Sequence, residues 1–300
     1  MIEHLVHAFP GAPGGGNPAG VVLGAREDLD AAEFTRIAVR INPLSETAFV
    51  WPGEPGAPIR LRYFAPGGEV RFCGHATAGA FAVLAREGLL PPDGAVRAVA
   101  PGAEVTGRAA VTAGDVVVWM EMPVARRIDA RVNDTSLASA LGITAAELAA
   151  DPLPRAVEDV GIRIHLIPLP TATLISELRP DMDALRRLGA PDSLIVHYPF
   201  HFDDAGAELT VRSRSFAPAV DIDEDPATGT AAAALGAFLA REGCLAGRTS
   251  PARVRIRQAL EIGRPSEILL EVEHDGRRPL AVRIGGRVVP APGPGGGVAG

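Results

Sequence analysis

The sequence contains no lysine, because all 29 of its basic residues are arginine. Without a lysine, the chain cannot form the internal Schiff base that pyridoxal-phosphate enzymes require. A Walker-type phosphate-binding loop is excluded for the same reason, since that motif depends on its lysine. Any reaction that this chain carries out must therefore use other side chains.

Cysteines and long apolar segments are also scarce. The two cysteines, Cys73 and Cys244, provide no disulfide framework, so a reducing compartment is expected. The most apolar helical run, near residues 231–240, is much shorter than the roughly 20 residues that a membrane-spanning helix needs. Residues 1–4 lack the basic region of a secretory signal. These features predict a cytoplasmic protein.

The balance of charge excludes another set of partners. The 300 residues carry a formal net charge of −7. A negative chain is unsuited to binding nucleic acid or an anionic membrane surface. The length is typical of two domains of ordinary size, each with its own buried core.

The most informative positive feature is an internal repeat. Residues 62–90 and 214–245 are similar, and ten of the seventeen pairs between Gly74–Leu90 and Gly229–Leu245 are identical. Solenoid repeats have units of about 20–50 residues, whereas this spacing is 155 residues. The repeat therefore indicates two copies of one domain.

The hydrophobic pattern predicts the same plan in each half, with mostly antiparallel strands and one apolar helix. A helix that is apolar on nearly all its faces is a buried helix. We expect an α+β fold of two pseudo-symmetric domains, each a curled sheet or barrel around a central helix. The predicted first domain covers residues 1–125 and is completed by a strand near 279–289. The second covers 126–278, and 290–300 form a disordered tail.

Several local elements follow from shorter signals. Asp30 is the predicted N-cap of a helix over residues 30–40, and Gly88 is the predicted C′ residue of the helix at 74–88. Residues 45–50 and 172–177 are predicted to be strands.

The second copy of the repeat contains a candidate binding motif at Asp225–Thr230. Asp225 and Pro226 suit a helix N-cap and first turn, so helix capping alone would explain them. Capping explains less of Thr228-Gly229-Thr230, where two hydroxyls flank a glycine. A glycine there lets a ligand approach backbone N–H groups at the positive end of the helix dipole.

The first copy places Gly74 and His75 where the second has Gly229 and Thr230. His75 is a candidate proton donor or ligand contact, because histidine titrates near neutrality. The alternative is a structural histidine with satisfied hydrogen bonds. No metal site is predicted, since the histidines show no HExxH motif and no Cys/His ligand spacing.

Glu46 is a further candidate, because it stands in an otherwise apolar segment predicted to be a strand. A carboxylate in such a place is costly unless it is solvated, paired or functional. On an exposed strand face it would need no special explanation. In a buried site it could act as a general acid or base.

Five segments together resemble the PhzF-like family of phenazine-biosynthesis isomerases, within the wider diaminopimelate-epimerase-like fold. They are Gly16–Val22, Ser45–Val50, Glu69–Thr77, Met120–Pro123 and Arg214–Gly229. The resemblance implies two domains with the active site between them, a homodimer and no cofactor. It also implies an isomerase that moves a proton along a conjugated system.

The resemblance implies roles for particular residues. Glu46 matches the acid/base that removes and returns the proton, while His75 and Asp225 match residues that assist protonation and hold the substrate. Residues at the starts of the two repeat helices would bind the substrate carboxylate through their backbone or side chains. They are Gly74, Thr228, Gly229 and Thr230.

This chain departs from the family pattern at two positions in the second half. Thr230 stands where a serine is usual, and Asp221 replaces a frequent glycine. Neither position belongs to the predicted proton shuttle. Both bear on which substrate fits, so the phenazine precursor is not assumed.

The sequence therefore predicts a cofactor-independent isomerase that shifts a proton and a double bond in a small unsaturated carboxylate or amino acid, in specialised metabolism. One alternative is a racemase or epimerase with two catalytic thiols. Cys73 would suit that chemistry, but the second half carries Asp225 and Thr230 where the other thiol is needed. The remaining alternative is a non-catalytic small-molecule binding protein on the same fold.

Overall fold

The computed structural model describes residues 1–53, 57–130, 132–204 and 208–291. The predicted tail at 290–300 lies almost entirely outside these residues. The chain divides into two compact units, one formed by Met1–Glu121 with the chain from Gly285 onward, the other by Met122–Ile284.

The elements of the first unit alternate between strands and two α-helices. In chain order they are β1 (Ile2–Ala8), β2 (Asn17–Leu23), α1 (Ala31–Ile41), β3 (Thr47–Trp51), β4 (Ile59–Ala65), β5 (Gly68–Val70), α2 (Gly74–Arg86), β6 (Ala95–Ala100), β7 (Ala103–Thr112) and β8 (Asp115–Met122).

The elements of the second unit include more helices. In chain order they are β9 (Arg126–Ile128), α3 (Asp134–Leu141), α4 (Ala145–Ala149), β10 (Ala156–Asp159), β11 (Arg163–Pro168), α5 (Ala172–Glu177), α6 (Met182–Gly189), β12 (Leu194–Asp204), β13 (Leu209–Ser213), α7 (Gly229–Arg241), β14 (Ala252–Gln258), β15 (Ser266–Asp275) and β16 (Arg278–Pro290), whose last residues belong to the first unit.

The first unit contains a closed eight-stranded barrel. Its strand order is β1-β2-β3-β4-β6-β7-β8-β16, and β1 pairs with β16 to close the ring. The closing register is antiparallel and pairs Val6 with Pro290 and Ala8 with Val288. Closure leaves no free strand edge in the ring, and free edges are sites of unwanted pairing. The mixed α+β class predicted from the sequence is confirmed.

Helix α2 is buried among the strands of this unit. It contacts β1, β2, β3 and β7, and its residues from His75 to Leu84 are all buried. Its composition explains the close approach, because small side chains let helix and strands come together. A Cβ added at Gly79 would lie 3.0 Å from Val6 Cγ2, so a larger residue would not fit without movement.

The second unit follows the strand order β16-β15-β14-β13-β12-β11-β10-β9. Helix α7 contacts β15, β10 and β11, and its residues from Ala231 to Ala240 are buried. A Cβ at Gly236 would lie 3.0 Å from Val272 Cγ2, so glycine again permits close helix–strand contact. The remaining helices of the unit share an apolar core that includes Leu141, Ile175 and Leu185.

Helices α2 and α7 are the structural counterparts of the sequence repeat. Each has 13 residues, and each ends at a C-cap glutamate, Glu87 or Glu242. The next residues, Gly88 and Gly243, have positive φ angles of 68° and 77°. Glycine adopts this conformation without steric cost, so the predicted C′ role of Gly88 is confirmed. The predicted N-cap at Asp30 is also confirmed, since Asp30 forms a capping box with Glu33.

Two predicted strands differ from the structure. Residues 172–177 form helix α5, because Thr171 Oγ1 accepts a hydrogen bond from Leu174 N at 3.1 Å and caps the helix. A short apolar run does not distinguish a strand from a buried helix, and here Leu174 and Ile175 pack into the helical core. The segment at 45–50 enters its strand only at Thr47, so Glu46 lies before β3.

None of the helices among the described residues is long and apolar enough to cross a membrane.

Candidate functional site

Glu46 lies at the end of the loop that joins α1 to β3, and its backbone is firmly held. Its carbonyl accepts hydrogen bonds from Gly20 N at 3.1 Å and from Asn42 Nδ2 at 3.2 Å. Its side chain keeps 21% of its surface exposed. The prediction of a carboxylate within a strand is therefore wrong. The structure instead gives Glu46 a fixed backbone and a side chain that solvent or a ligand can reach.

A hydrogen-bonded set of side chains connects Glu46 to His75. Ser45 Oγ donates to Glu46 Oε2 at 2.7 Å and lies 3.0 Å from His75 Nε2. His75 Nε2 is 3.5 Å from Glu46 Oε2. The sequence-predicted acid/base residues of the first half thus lie together, and a hydroxyl that can both donate and accept lies between them.

Cys73 also contacts the His75 ring, and its sulfur is near both ring nitrogens. Its Sγ lies 3.3 Å from His75 Nδ1 and 3.8 Å from Nε2. The Cys73 carbonyl accepts from Thr77 Oγ1 at 2.8 Å, and Thr77 Oγ1 lies 2.7 Å from Tyr63 OH. Both nitrogens of the imidazole therefore have a polar neighbour. A neutral imidazole donates with one nitrogen and accepts with the other, so this arrangement suits a proton carrier.

These residues also present ligand types that metals bind. Glu46, Cys73 and His75 each offer one ligand atom, and the three atoms lie within 4.8 Å of one another. Sequence spacing did not predict this cluster, because Glu46 comes from a separate loop.

Asp225 lies in the second unit, in the segment before α7. Its backbone N–H donates to Ser215 O at 2.9 Å, and its carbonyl accepts from Gln258 Nε2 at 2.7 Å. The N-cap of α7 is Thr228, so the interpretation of Asp225 as a helix cap is wrong. Asp225 is held on both sides of its backbone and is half-buried.

The side chain of Thr228 joins a buried polar network. Its Oγ1 donates to Asp225 Oδ2 at 2.5 Å, lies 2.7 Å from Ser215 Oγ and accepts from Gln258 Nε2 at 3.1 Å. Gln258 Oε1 in turn accepts from Tyr198 OH at 3.0 Å. Both the nitrogen and the oxygen of the Gln258 side-chain amide therefore form hydrogen bonds, and the carboxylate of Asp225 has a fixed direction.

An ion pair with Arg214 holds Glu224, the residue before Asp225. The Arg214 guanidinium donates to Glu224 Oε1 at 3.0 Å and Oε2 at 2.7 Å. Each side chain is only 8% exposed. Arg214 also donates to the Leu178 carbonyl at 3.1 Å, and its guanidinium lies 4.9 Å from the Phe216 ring centroid. A two-pronged pair of this kind fixes geometry, so the segment that leads into Asp225 is anchored.

The two repeat helices differ from the other described α-helices at their starts. Helices α1, α3, α4, α5 and α6 each begin with a side chain that accepts a hydrogen bond from a first-turn N–H. The N-cap residues of α2 and α7 are Cys73 and Thr228, and neither side chain makes such a bond. Uncapped first-turn N–H groups are available to an anion.

The glycines at these two starts have different surroundings. A Cβ on Gly74 would meet only Phe72 Cε1, at 4.0 Å, among the described heavy atoms. A Cβ on Gly229 would lie 2.5 Å from Ile284 Cδ1. Gly74 therefore opens space at the helix start, whereas a side chain at position 229 would require the end of the Ile284 side chain to move. The predicted contact residue Thr230 is half-buried.

Sequence reasoning missed several polar residues of these sets. Ser45 was adjacent to Glu46 and could have been chosen for its hydroxyl. Tyr198 and Gln258 gave no signal, because they lie on β12 and β14 and are brought together only by the sheet.

Comparison with known proteins agrees with this architecture. The family model described as phenazine biosynthesis-like protein, PhzC-PhzF, matches residues 6–292. A relative from Deinococcus radiodurans, described as an uncharacterised isomerase, is 37% identical, with 94% of this chain and 90% of the relative covered. The trans-2,3-dihydro-3-hydroxyanthranilate isomerase of Pseudomonas fluorescens is 32% identical, with 95% of each chain covered.

A solved structure shares the fold. The phenazine biosynthesis protein of the PhzF family from Bacillus anthracis superposes with a TM-score of 0.82 and 25% identity, covering 97% of this chain and 98% of that one. These matches define the class of the protein, which is an isomerase. The chain belongs to the PhzC-PhzF family of phenazine biosynthesis-like proteins, and the predicted family is confirmed.

Proposed function

We propose that this protein is a cofactor-independent isomerase that moves a proton, and with it a double bond, in a small unsaturated carboxylate or amino acid. The observation that carries the proposal is the set formed by Glu46, Ser45 and His75. Their polar atoms are joined at 2.7 and 3.0 Å, and Glu46 remains partly exposed. A carboxylate held in this way can take a proton from carbon and return it elsewhere on the same molecule.

Each residue then has a distinct role. Glu46 acts as the base that removes the proton and as the acid that returns it. His75 assists protonation, because its two nitrogens can accept a proton on one side and release one on the other. Asp225 holds the substrate. Thr228 orients the Asp225 carboxylate by donating a hydrogen bond to its Oδ2 at 2.5 Å.

The carboxylate of the substrate has a natural partner in the helix starts. Gly74 and Gly229 are the first residues of α2 and α7, which have no side-chain cap. Their N–H groups, together with Thr230, are proposed to bind the anion at the positive end of the helix dipole. The two units are proposed to be pseudo-symmetric domains, each organised around its repeat helix, and the protein is proposed to be a homodimer.

The substrate class is taken from a relative. The enzyme from Pseudomonas fluorescens is named for trans-2,3-dihydro-3-hydroxyanthranilate, a hydroxylated cyclic amino acid. We extend to this protein only the class, an unsaturated amino acid or carboxylate whose conjugation allows a proton to move, in a biosynthetic pathway of specialised metabolism.

A two-thiol racemase has less support. Position 228, at the same offset of 155 from Cys73, is a threonine, and it serves as the N-cap of α7 as Cys73 does for α2. Cys244 follows the opposite end of α7, beyond Arg241. Burial also raises the pKa of the Cys244 thiol to about 11, so it is a poor source of thiolate at neutral pH.

The proposal is tested by incubation with candidate dienoic and enone amino acids in deuterium oxide. Wild-type protein is expected to place deuterium in the product without any added cofactor. Glu46→Gln keeps the size of the side chain and removes its basicity, so turnover should fall roughly 10²–10⁴-fold while substrate binding is retained.

Glu27→Gln is the matched control, because Glu27 is 69% exposed and pairs with Arg60 at the surface. Its exchange rate should equal that of the wild type. If Glu46→Gln exchanged deuterium as fast as the wild type, the assigned base would be wrong. If wild-type protein bound the candidates and exchanged none of them, the binding-protein alternative would replace the isomerase.

A further inference from the structure

The cluster of Glu46, Cys73 and His75 has a composition that proton transfer alone does not require. A carboxylate and an imidazole suffice for acid/base chemistry, yet a thiol lies 3.3 Å from the same imidazole. Carboxylate, imidazole and thiolate are all ligands that zinc binds in proteins.

The distances fit a single small cation. Zinc bonds of about 2.0–2.3 Å in tetrahedral geometry separate neighbouring ligand atoms by roughly 3.3–3.7 Å. His75 Nε2 lies 3.5 Å from Glu46 Oε2 and 3.8 Å from Cys73 Sγ. All three ligand atoms lie within 4.8 Å of one another. Because Cys73 Sγ is nearer to Nδ1, at 3.3 Å, than to Nε2, the imidazole must rotate to turn its Nε2 lone pair towards the ion.

Burial and charge favour the same ion. Cys73 is 6% exposed and His75 is 8% exposed. A divalent cation bound by a thiolate, a carboxylate and a neutral imidazole makes a cluster with no net charge, which reduces the cost of burial. The Glu46 side chain, at 21% exposed, provides the route of entry.

The surroundings supply an outer shell. Ser45 Oγ donates to Glu46 Oε2 at 2.7 Å, and this bond can persist when the metal replaces the contact between Ser45 and His75. The fourth tetrahedral position is open to water or to a substrate oxygen, as in sites with three protein ligands.

We infer that Glu46, Cys73 and His75 form a binding site for zinc or a similar thiophilic divalent cation, and that metal binding and proton transfer exclude each other. Binding of Zn²⁺ releases one proton, from the Cys73 thiol or from an imidazolium paired with its thiolate, to the buffer. The bound metal occupies the lone pairs that the proton shuttle needs. The site would exist whatever substrate the enzyme uses.

The first experiment measures binding of Zn²⁺ to the full chain by isothermal titration calorimetry in buffers of different ionisation enthalpy. One equivalent should bind with release of about one proton. Cobalt(II) in place of zinc should give a thiolate-to-metal charge-transfer band. Cys73→Ser should remove that band and weaken binding roughly 100-fold or more, since even outer-shell changes cost about 10–100-fold.

The matched control is Cys244→Ser, which changes the other free cysteine and should keep stoichiometry, affinity and the cobalt band. Glu46→Gln and His75→Asn should each weaken binding, and circular dichroism verifies that all variants are folded. A second measurement on the wild type is the anomalous signal of a zinc-soaked crystal, which should lie at the three side chains.

Zinc affinity that is unchanged in Cys73→Ser, or an anomalous peak elsewhere on the protein, would overturn the inference. These readouts need no substrate. A protein that binds zinc at this cluster but exchanges no deuterium would contradict the proposed isomerase and leave the metal site standing. The reverse result would contradict only the metal site.

Discussion

Helices α2 and α7 have the same length and ends but present different chemistry at their starts. Both contain 13 residues and both lack a side-chain cap. At α2, Cys73 and His75 meet Ser45 and Glu46 from another loop. At α7, Thr228 instead meets the carboxylate of Asp225. The repeated helix therefore keeps the same backbone arrangement in both units, while its polar neighbours come from whichever segments adjoin it.

The largest expected effect is on the reaction rate, and it distinguishes His75 from Thr230, the residues that follow the first glycine of α2 and of α7. His75→Asn removes the imidazole that is proposed to assist protonation, so the rate of deuterium incorporation should fall roughly 10²–10⁴-fold. Thr230→Val keeps the shape and removes one hydroxyl, so it should raise KM about tenfold at most with little change in kcat. Steady-state kinetics of both variants check this, with Thr230→Ser expected to behave as the wild type. Equal losses of kcat at both positions would contradict the division of roles.

A second experiment breaks the polar network at α7. Gln258→Leu removes the hydrogen bonds to the Asp225 carbonyl, to Thr228 Oγ1 and from Tyr198 OH. Thr228 Oγ1 keeps its bonds to Asp225 and Ser215, and Tyr198 OH still accepts from Ser213 Oγ, so the main loss is at the Asp225 carbonyl. The free energy of unfolding should therefore fall by about 1–3 kcal/mol. Urea denaturation measures the loss.

The variant Gln258→Glu keeps the oxygen that accepts from Tyr198 OH, but it places a carboxyl group at a fully buried position beside Asp225. It should therefore lower stability as well. It should also lower kcat, because it removes the donor that holds Asp225. A Gln258→Leu protein as stable as the wild type would show that the network contributes little.

Alanine substitution at Gly74 and at Gly229 should have opposite effects on stability. Gly229→Ala brings a methyl group against the terminal carbon of the buried Ile284 side chain, which must shift, so the melting temperature should fall slightly, in line with about 1 kcal/mol for overpacking. Gly74→Ala meets no described atom closer than 4.0 Å and should keep or slightly raise stability, as glycine is a poor helix former. If Gly74 binds the substrate anion, Gly74→Ala should still weaken substrate binding. Thermal unfolding and binding titration of both variants decide the point.

The second unit also carries a pair of buried histidines that the first lacks among its described residues. His165 Nδ1 lies 3.3 Å from His197 Nδ1. Burial lowers the pKa of His197 to about 4, and burial together with the neighbouring His197 and Arg155 lowers that of His165 well below its usual value.

This pair predicts a particular dependence of stability on pH. A lowered folded-state pKa means that the unfolded chain binds more protons as the pH falls. Stability should therefore decline from about pH 6.5 towards pH 4, by on the order of 1–3 kcal/mol. His197→Gln should flatten the decline, whereas His274→Gln, at a half-buried position outside this pair, should not. Chemical denaturation across this range is the measurement, and an unchanged slope in His197→Gln would refute the assignment.

The smallest expected effect concerns the turn before Asp225. Asp221 has a left-handed φ of 58°, which explains why a glycine suits this position. Asp221→Gly relieves that conformation but loses an exposed ion pair with Arg186. The net gain should be about 0.5 kcal/mol. A loss of stability in thermal unfolding would show that the ion pair matters more than the backbone.

Patterns local in sequence predicted much of the fold. The repeat located α2 and α7, the capping signal located α1, and the alternation of apolar residues located most strands. The strand predicted at 172–177 was wrong, because a short apolar run is compatible with both a strand and a buried helix. Here the Thr171 side chain caps the helix and stabilises it. Asp225 was read as a possible cap because a side chain that suits capping also suits ligand binding.

The family, the two repeated helices and the candidates Glu46, His75 and Asp225 can be read from the amino-acid order, because each depends on motifs of residues close together along the chain. The contacts of Ser45 with His75, and of Tyr198 and Gln258 with the network around Thr228 and Asp225, cannot be read in this way. They join separate loops and strands, and sheet pairing and core packing set them without leaving a local pattern in the sequence.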